Sequence, residues 1–315
     1  MTKLAQLTPT NLMEEKAKFL ASQAYEPQFK YAQPIDPKTL NFYGPPQKKF
    51  FDHAVNLITQ FPKSKIKPPR ATLEQIEVAV ETACQAANLP SLKLDFSHDH
   101  LSQVRLDNGT LFIRTPIQFT QAQLIGKIHH EIETHYFRIL NNAALGFEPA
   151  EESYAFRSTE EGLANLHSFL DQPNVPMYKT CLSYIGSYLT QQLGFRAAFL
   201  EMIKLEVSTE LSWSIITRSK RGLTDTSQPG GFTKDRTYLE GSVAVWQWLL
   251  RPENDIHDLY AGRISLSEVN QTKKIVSEKN PAPKLYFPKI IANPVEYLNI
   301  IRQIGLTNQF EKLVS

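Results

Sequence analysis

Between residues 71 and 140 the apolar residues change spacing twice, and this restricts the segment to a helix, a small sheet and a second helix in direct succession. Ile76, Val78, Ala79 and Ala83 follow a helical period behind Thr72, whose hydroxyl can cap a helix with Gln75 three residues on. LKLDFS then reads as a strand, and SQVRLDNGTLFIRTP as a hairpin turning at Asn108-Gly109, a dipeptide that tolerates positive φ at both central positions. That turn pairs Leu106 with Leu111 and Val104 with Ile113, and sets Arg105 opposite Phe112. The segment therefore predicts a small antiparallel sheet. Thr120, with Gln123 behind it, opens a helix running through Leu140. Its expected apolar stripe is Ile125, Ile128, Ile132, Tyr136 and Ile139, and its polar stripe Lys127, His130, Glu131, Thr134, His135 and Arg138.

Helical periodicity recurs at 12–24, 46–61, 150–170, 177–192, 197–216, 238–250 and 295–304, which predicts an α+β fold that is mostly α-helical. The basic, proline-rich run FPKSKIKPPR, 61–70, is a connector. It divides an N-terminal segment, 1–70, packed on the core, from a domain over 71–315 that ends in a helical extension. A net charge of +2 implies neither nucleic acid nor a membrane surface as a partner. With no leader pattern and no run of about 18 apolar residues, the expected compartment is the cytoplasm. Only Cys84 and Cys181 are present, so a disulfide framework and a CxxC site are both excluded, and any metal must use His, Asp or Glu.

KIHHEIETHYFR, Lys127 to Arg138, carries His130, Glu131 and His135. A hydrolytic zinc site needs three protein ligands, an open position and a carboxylate base, and these residues supply two ligands and the base. On a regular helix, however, residues five apart point about 140° away from each other. A single wide π-turn between the histidines would absorb the extra residue. Two other readings use the same residues: a polar helix face, or an i, i+4 pair of Glu131 and His135. RSTEEGLANLH, Arg157 to His167, places Glu160 and Glu161 on a following helix, where Glu161 is a candidate third ligand and Asn165 a residue that could orient one. Gly162 in mid-helix costs about 1 kcal/mol relative to alanine, which predicts close approach of another backbone.

HEIETHYFRILN, then EEGLA, then RGLTDTSQPGGFTKDRTYLEG, with FYGPPQKKFF upstream, resemble the metallopeptidases named for a QEGLA motif, a family that includes the microtubule-associated tyrosine carboxypeptidases. The likeness runs from about Leu12 to Leu250. It implies a zincin-like carboxypeptidase in which His130, His135 and Glu161 bind one Zn2+ and Glu131 is the general base. For eukaryotic members it also implies removal of the C-terminal tyrosine of α-tubulin. Two positions depart from the pattern: Glu160 stands where the motif has glutamine, and Glu133 where a small residue is expected.

A carboxypeptidase must also hold a free carboxylate, for which a multidentate cation is suited. RSKRGLTDTSQPGGFTKDRTY, Arg218 to Tyr238, offers Arg221 and Lys234, with Arg218 as a further candidate, and the Tyr238 hydroxyl as a donor to the oxyanion. An ordinary basic surface loop would have the same composition. The strand LFIRTP could pair with an extended peptide, or be an edge guarded by Arg114 and Pro116. The expected partner is a peptide or protein C-terminus. The alternatives are a regulatory or interaction protein with a structural or vestigial metal site, and a hydrolase of non-peptide amides.

Overall fold

The computed structural model describes residues 6–22, 24–61, 69–98, 102–107 and 109–314. In chain order the helices begin with α1 (Leu12–Ala21), α2 (Pro37–Leu40), α3 (Lys48–Gln60) and α4 (Leu73–Ala86). Three strands follow, β1 (Lys93–Ser97), β2 (Val104–Asp107) and β3 (Thr110–Arg114). Then come α5 (Gln121–Ile128), a π-helical segment (His129–Tyr136), α6 (Phe137–Ala144) and α7 (Tyr154–His167). The remainder is α8 (Tyr178–Gln192), α9 (Phe195–Lys204), α10 (Thr209–Lys220), α11 (Arg236–Leu249), α12 (Ile256–Leu259), α13 (Val269–Ser277) and α14 (Pro294–Thr307). None of these helices is long and apolar enough to cross a membrane.

Two compact units result, one of Met1–Pro62 with Met177–Leu239 and one of Lys63–Pro176 with Glu240–Ser315. Residues 62–68 of the expected connector lie outside the described ones. The first unit is helical. Phe19 of α1 meets Phe195 and Phe199 of α9 edge-on, at 5.0 and 4.9 Å between ring centroids, and lies 5.1 Å from Trp213 of α10. The helical period at 197–216 is broken into α9 and α10, because the chain turns at Glu206 in the left-handed region, at φ 59°.

The second unit holds the sheet. β2 and β3 pair antiparallel in the expected register, Val104 with Ile113 and Leu106 with Leu111. Gly109 takes φ +72°, while its turn partner Asn108 lies outside the described residues. The sheet is nevertheless mixed, because β1 adds to the other side of β3 in parallel, Leu94 beside Leu111. That pairing joins residues far apart along the chain, and no local pattern announces it. It also makes β3, the LFIRTP strand, central in the order β1-β3-β2, so β3 has no free edge for a peptide.

Thr72 and Thr120 both form full capping boxes with Gln75 and Gln123. The expected stripes hold only in part: Ile128 and Ile132 are buried, but Ile125 within α5 and Ile139 beyond the π-helical segment are 44% and 36% exposed, and Thr134 and Arg138 of the expected polar stripe are fully enclosed. The wide turn inserts one residue into the helical count, which rotates everything after it relative to a regular period.

Gly162 of α7 meets Gly241 of α11 backbone to backbone, as its mid-helix position implies. A Cβ on Gly162 would lie 2.2 Å from the Gly241 carbonyl carbon, and one on Gly241 would lie 2.0 Å from the Ser158 oxygen. Gly162→Ala is expected to destabilise the protein by about 1–3 kcal/mol, read as a lower urea midpoint. An unchanged midpoint would contradict the close approach.

Candidate functional site

The π-helical segment brings His130 and His135 together. Within it the Phe137 N–H bonds to the Ile132 carbonyl, five residues back. The two imidazoles stand 4.9 Å apart between ring centroids at 82°. From α7, Glu161 faces both: its Oε2 lies 3.8 Å from His130 Nε2 and 3.7 Å from His135 Nε2. One donor atom from each of the three residues falls within 4.8 Å of the others.

Whether this set suits a metal depends on which nitrogens carry lone pairs. Ser168 Oγ donates its single proton to the Ala164 carbonyl at 3.0 Å, so at 3.0 Å from His130 Nδ1 it must accept from that nitrogen. His135 Nδ1 lies 2.9 Å from Glu160 Oε1. Burial alone would raise the Glu160 carboxyl, but the Arg138 guanidinium, the His135 hydrogen bond and Arg263 hold it well below the usual carboxylate range. An ionised Glu160 only accepts, so His135 also carries its proton on Nδ1. Both imidazoles are thereby oriented with Nε2 toward Glu161. Ligands about 2.0–2.1 Å from a tetrahedral ion stand about 3.3 Å apart, so the spacings fit a single ion after small movements.

The partners of these ligands complete the fit. Glu160 is enclosed and pairs with the equally enclosed Arg138, whose Nε and Nη2 donate to the carbonyls of Leu259 and Ile264, both at 2.9 Å. A buried carboxylate holding the His135 imidazole is thus neutralised and anchored. Arg157 approaches the other oxygen of Glu161, Oε1, at 3.5 Å, leaving Oε2 for the imidazoles. Burial alone would lower the pKa of the His135 imidazolium, yet its hydrogen bonds to Glu160 and Glu161 and their charges raise it to about 9. A metal must displace that proton.

Glu131 is half-buried beside them, and its Oε2 accepts from the Leu106 N–H of edge strand β2 at 3.1 Å. Desolvation raises its pKa, against the opposing pull of His135 and Lys127. A carboxylate of raised basicity next to a ligand set is suited to take a proton. Glu133, the unexpected charge in the segment, is matched by His129, which also reaches Asp171 Oδ2 at 2.6 Å.

The remaining candidates belong to the first unit. Arg218 ends α10, and its Nε and Nη2 make a fork to Asp235 at 2.5 and 2.8 Å. Arg221 is only 7% exposed, lies over the Phe232 ring at 4.7 Å, and its Nε has no hydrogen-bond partner among the described residues. Burial lowers the pKa of its guanidinium to about 10. Lys234 is buried too, with Nζ 3.5 Å from the Tyr238 hydroxyl. This is no surface loop, since Lys220, Arg221, Lys234, Asp235 and Arg236 are all enclosed.

Several contributors escaped sequence reasoning. Ser168 and Arg157 lie one or two turns from Glu161 and could have been found from helical spacing; Leu106 and Arg263 had no local signal. Asn165, expected to orient a ligand, donates to Ser242 Oγ of α11 at 2.9 Å.

The fold and site define a helical α+β protein with a two-histidine, one-glutamate cluster that could hold a metal ion, and an adjacent carboxylate. A family model described as "Microtubule-associated tyrosine carboxypeptidase" matches residues 39–309. Rat "Microtubule-associated tyrosine carboxypeptidase 1" is 30% identical over 98% of this chain and 69% of its own length. The human protein of that name is 32% identical over 77% of this chain and 55% of its own length. This chain belongs to the microtubule-associated tyrosine carboxypeptidase family. It spans about half to two thirds of the length of its curated relatives, from 52% to 69%.

Ser168→Ala is expected to weaken metal affinity about 10- to 100-fold, measured by competition with a chelator. Metal affinity should also rise with pH, by about tenfold per unit below pH 9, as His135 gives up its proton. A pH-independent affinity would contradict the assignment of His135 as a ligand.

Proposed function

We propose that the protein is a zinc-dependent carboxypeptidase that removes a C-terminal residue, tyrosine by preference, from peptide or protein substrates in the cytoplasm. The observation that carries this reading is the convergence of His130 Nε2, His135 Nε2 and Glu161 Oε2 beside the Glu131 carboxylate. His130, His135 and Glu161 would hold the ion, which when bound supplies Lewis-acid activation of the scissile carbonyl and of water. Glu131 takes the proton from the attacking water and delivers it to the departing amine. Its hydrogen bond from Leu106 keeps the carboxylate in one orientation as the charge changes. The preference for tyrosine rests on the names of the relatives.

For the terminal carboxylate we assign Arg221 first, because a buried guanidinium with an unpartnered Nε calls for an anionic acceptor. Lys234 is the second cation, and Tyr238 the proposed donor to the oxyanion. Arg218 is the weakest of the set, since Asp235 already engages its fork.

Glu131→Gln is expected to retain metal and lose about 10²- to 10⁴-fold in cleavage of a peptide ending in tyrosine. Cleavage at wild-type rate would remove Glu131 from the mechanism. An interaction protein with a structural metal would cleave nothing before or after the change. Peptides with an amidated C-terminus should resist hydrolysis, and Arg221→Ala should erase the difference between free and amidated ends. Equal cleavage of both by the wild type would instead favour a general amidase.

A further inference from the structure

A wide turn displaces backbone carbonyls from the regular helical ladder, and a buried carbonyl must find another donor. Two carbonyls of the π-helical segment are met by hydroxyl groups. Thr134 Oγ1 donates to the His129 carbonyl at 2.7 Å, and Tyr260 Oη donates to the Glu133 carbonyl at 2.8 Å. Tyr260 lies just beyond α12, far along the chain, and Thr134 and Tyr260 are both fully enclosed.

Behind them stands His167, also fully enclosed, at the end of α7. Its Nδ1 is 2.8 Å from Thr134 Oγ1 and 3.4 Å from Tyr260 Oη, and its Nε2 is 2.9 Å from Tyr297 Oη on α14. Thr134 has one proton and donates it to a carbonyl, which can only accept. His167 must therefore donate from Nδ1 to Thr134 and accept at Nε2 from Tyr297. The chain of donors runs one way: Tyr297 to His167, His167 to Thr134, Thr134 to the His129 carbonyl. A neutral imidazole satisfies every link, and burial pushes the pKa of His167 well below its ordinary value.

We infer that Thr134, His167 and Tyr260 are positioning residues that hold the turn between His130 and His135 wide, so that both imidazoles face Glu161. They touch neither the ligand atoms nor the substrate. They act through the backbone, by giving His129 and Glu133 hydrogen bonds that a regular helix at this place would not require. The consequence for metal binding rests on the reading proposed above; the consequence for the backbone does not.

The test compares Thr134→Val, which keeps shape and loses the hydroxyl, with Thr134→Ser, which keeps the hydroxyl, and with Tyr260→Phe. Hydrogen–deuterium exchange on metal-free protein reads the turn directly, and competition with a chelator reads zinc affinity. Thr134→Val and Tyr260→Phe are expected to exchange about tenfold faster across residues 129–138 and to bind zinc about tenfold more weakly. Thr134→Ser should match the wild type in both. Wild-type exchange in Thr134→Val and Tyr260→Phe, or equal losses in Thr134→Val and Thr134→Ser, would overturn the proposal. If Thr134→Val does not fold, Tyr260→Phe decides by the same readouts. Should the wild type bind no zinc, the metal reading fails while the exchange measurement still decides the role of the hydroxyls.

Discussion

The five-residue separation of His130 and His135 is the constraint from which the rest of this structure follows. A regular helix would direct the two imidazoles apart, about 140° around its axis. The chain accepts a π-helical segment instead, and the Phe137 N–H bonds to Ile132 across the longer interval. Such a turn is a poorer helix, and neighbouring elements supply what it lacks. The end of α7 and the turn after it contact it three times, His167 at Thr134, Ser168 at His130 and Asp171 at His129. Gly126 allows this proximity, since a Cβ there would lie 2.3 Å from the Ser168 carbonyl oxygen.

Electrostatics then decides which atoms the site presents. Ser168 and Glu160 claim the Nδ1 protons of His130 and His135, and Arg157 approaches the outer oxygen of Glu161. Nε2, Nε2 and Oε2 are left to converge. Glu160 is tolerable in a dry interior because Arg138 and Arg263 balance it, and Arg138 in turn ties the carbonyls of Leu259 and Ile264 to α6. The Arg138–Glu160 pair therefore orients His135 and fixes the segment that carries Tyr260.

Features that depend on neighbours along the chain were legible in the sequence. The hairpin register followed from the Asn-Gly turn, both capping boxes from Thr and Gln three residues apart, and the backbone contact at Gly162 from a glycine where alanine would be favoured. The need for a wide turn came from counting five residues between two histidines. What the count could not reveal was its effect downstream, where Thr134 and Arg138 turned inward and Ile139 stayed exposed. The parallel pairing of β1 with β3 and the hydroxyl of Tyr260 depend on contacts between distant residues, and no local periodicity encodes them.

The central claim is that one zinc ion is held by His130 Nε2, His135 Nε2 and Glu161 Oε2. Diffraction from zinc-loaded crystals, recorded on both sides of the zinc absorption edge, tests it most directly. The account predicts a single strong anomalous peak about 2.0–2.2 Å from each of these three atoms, with the imidazole Nδ1 atoms still bonded to Ser168 and Glu160. A peak at other residues, or none between these three in crystals shown to contain zinc, would contradict it.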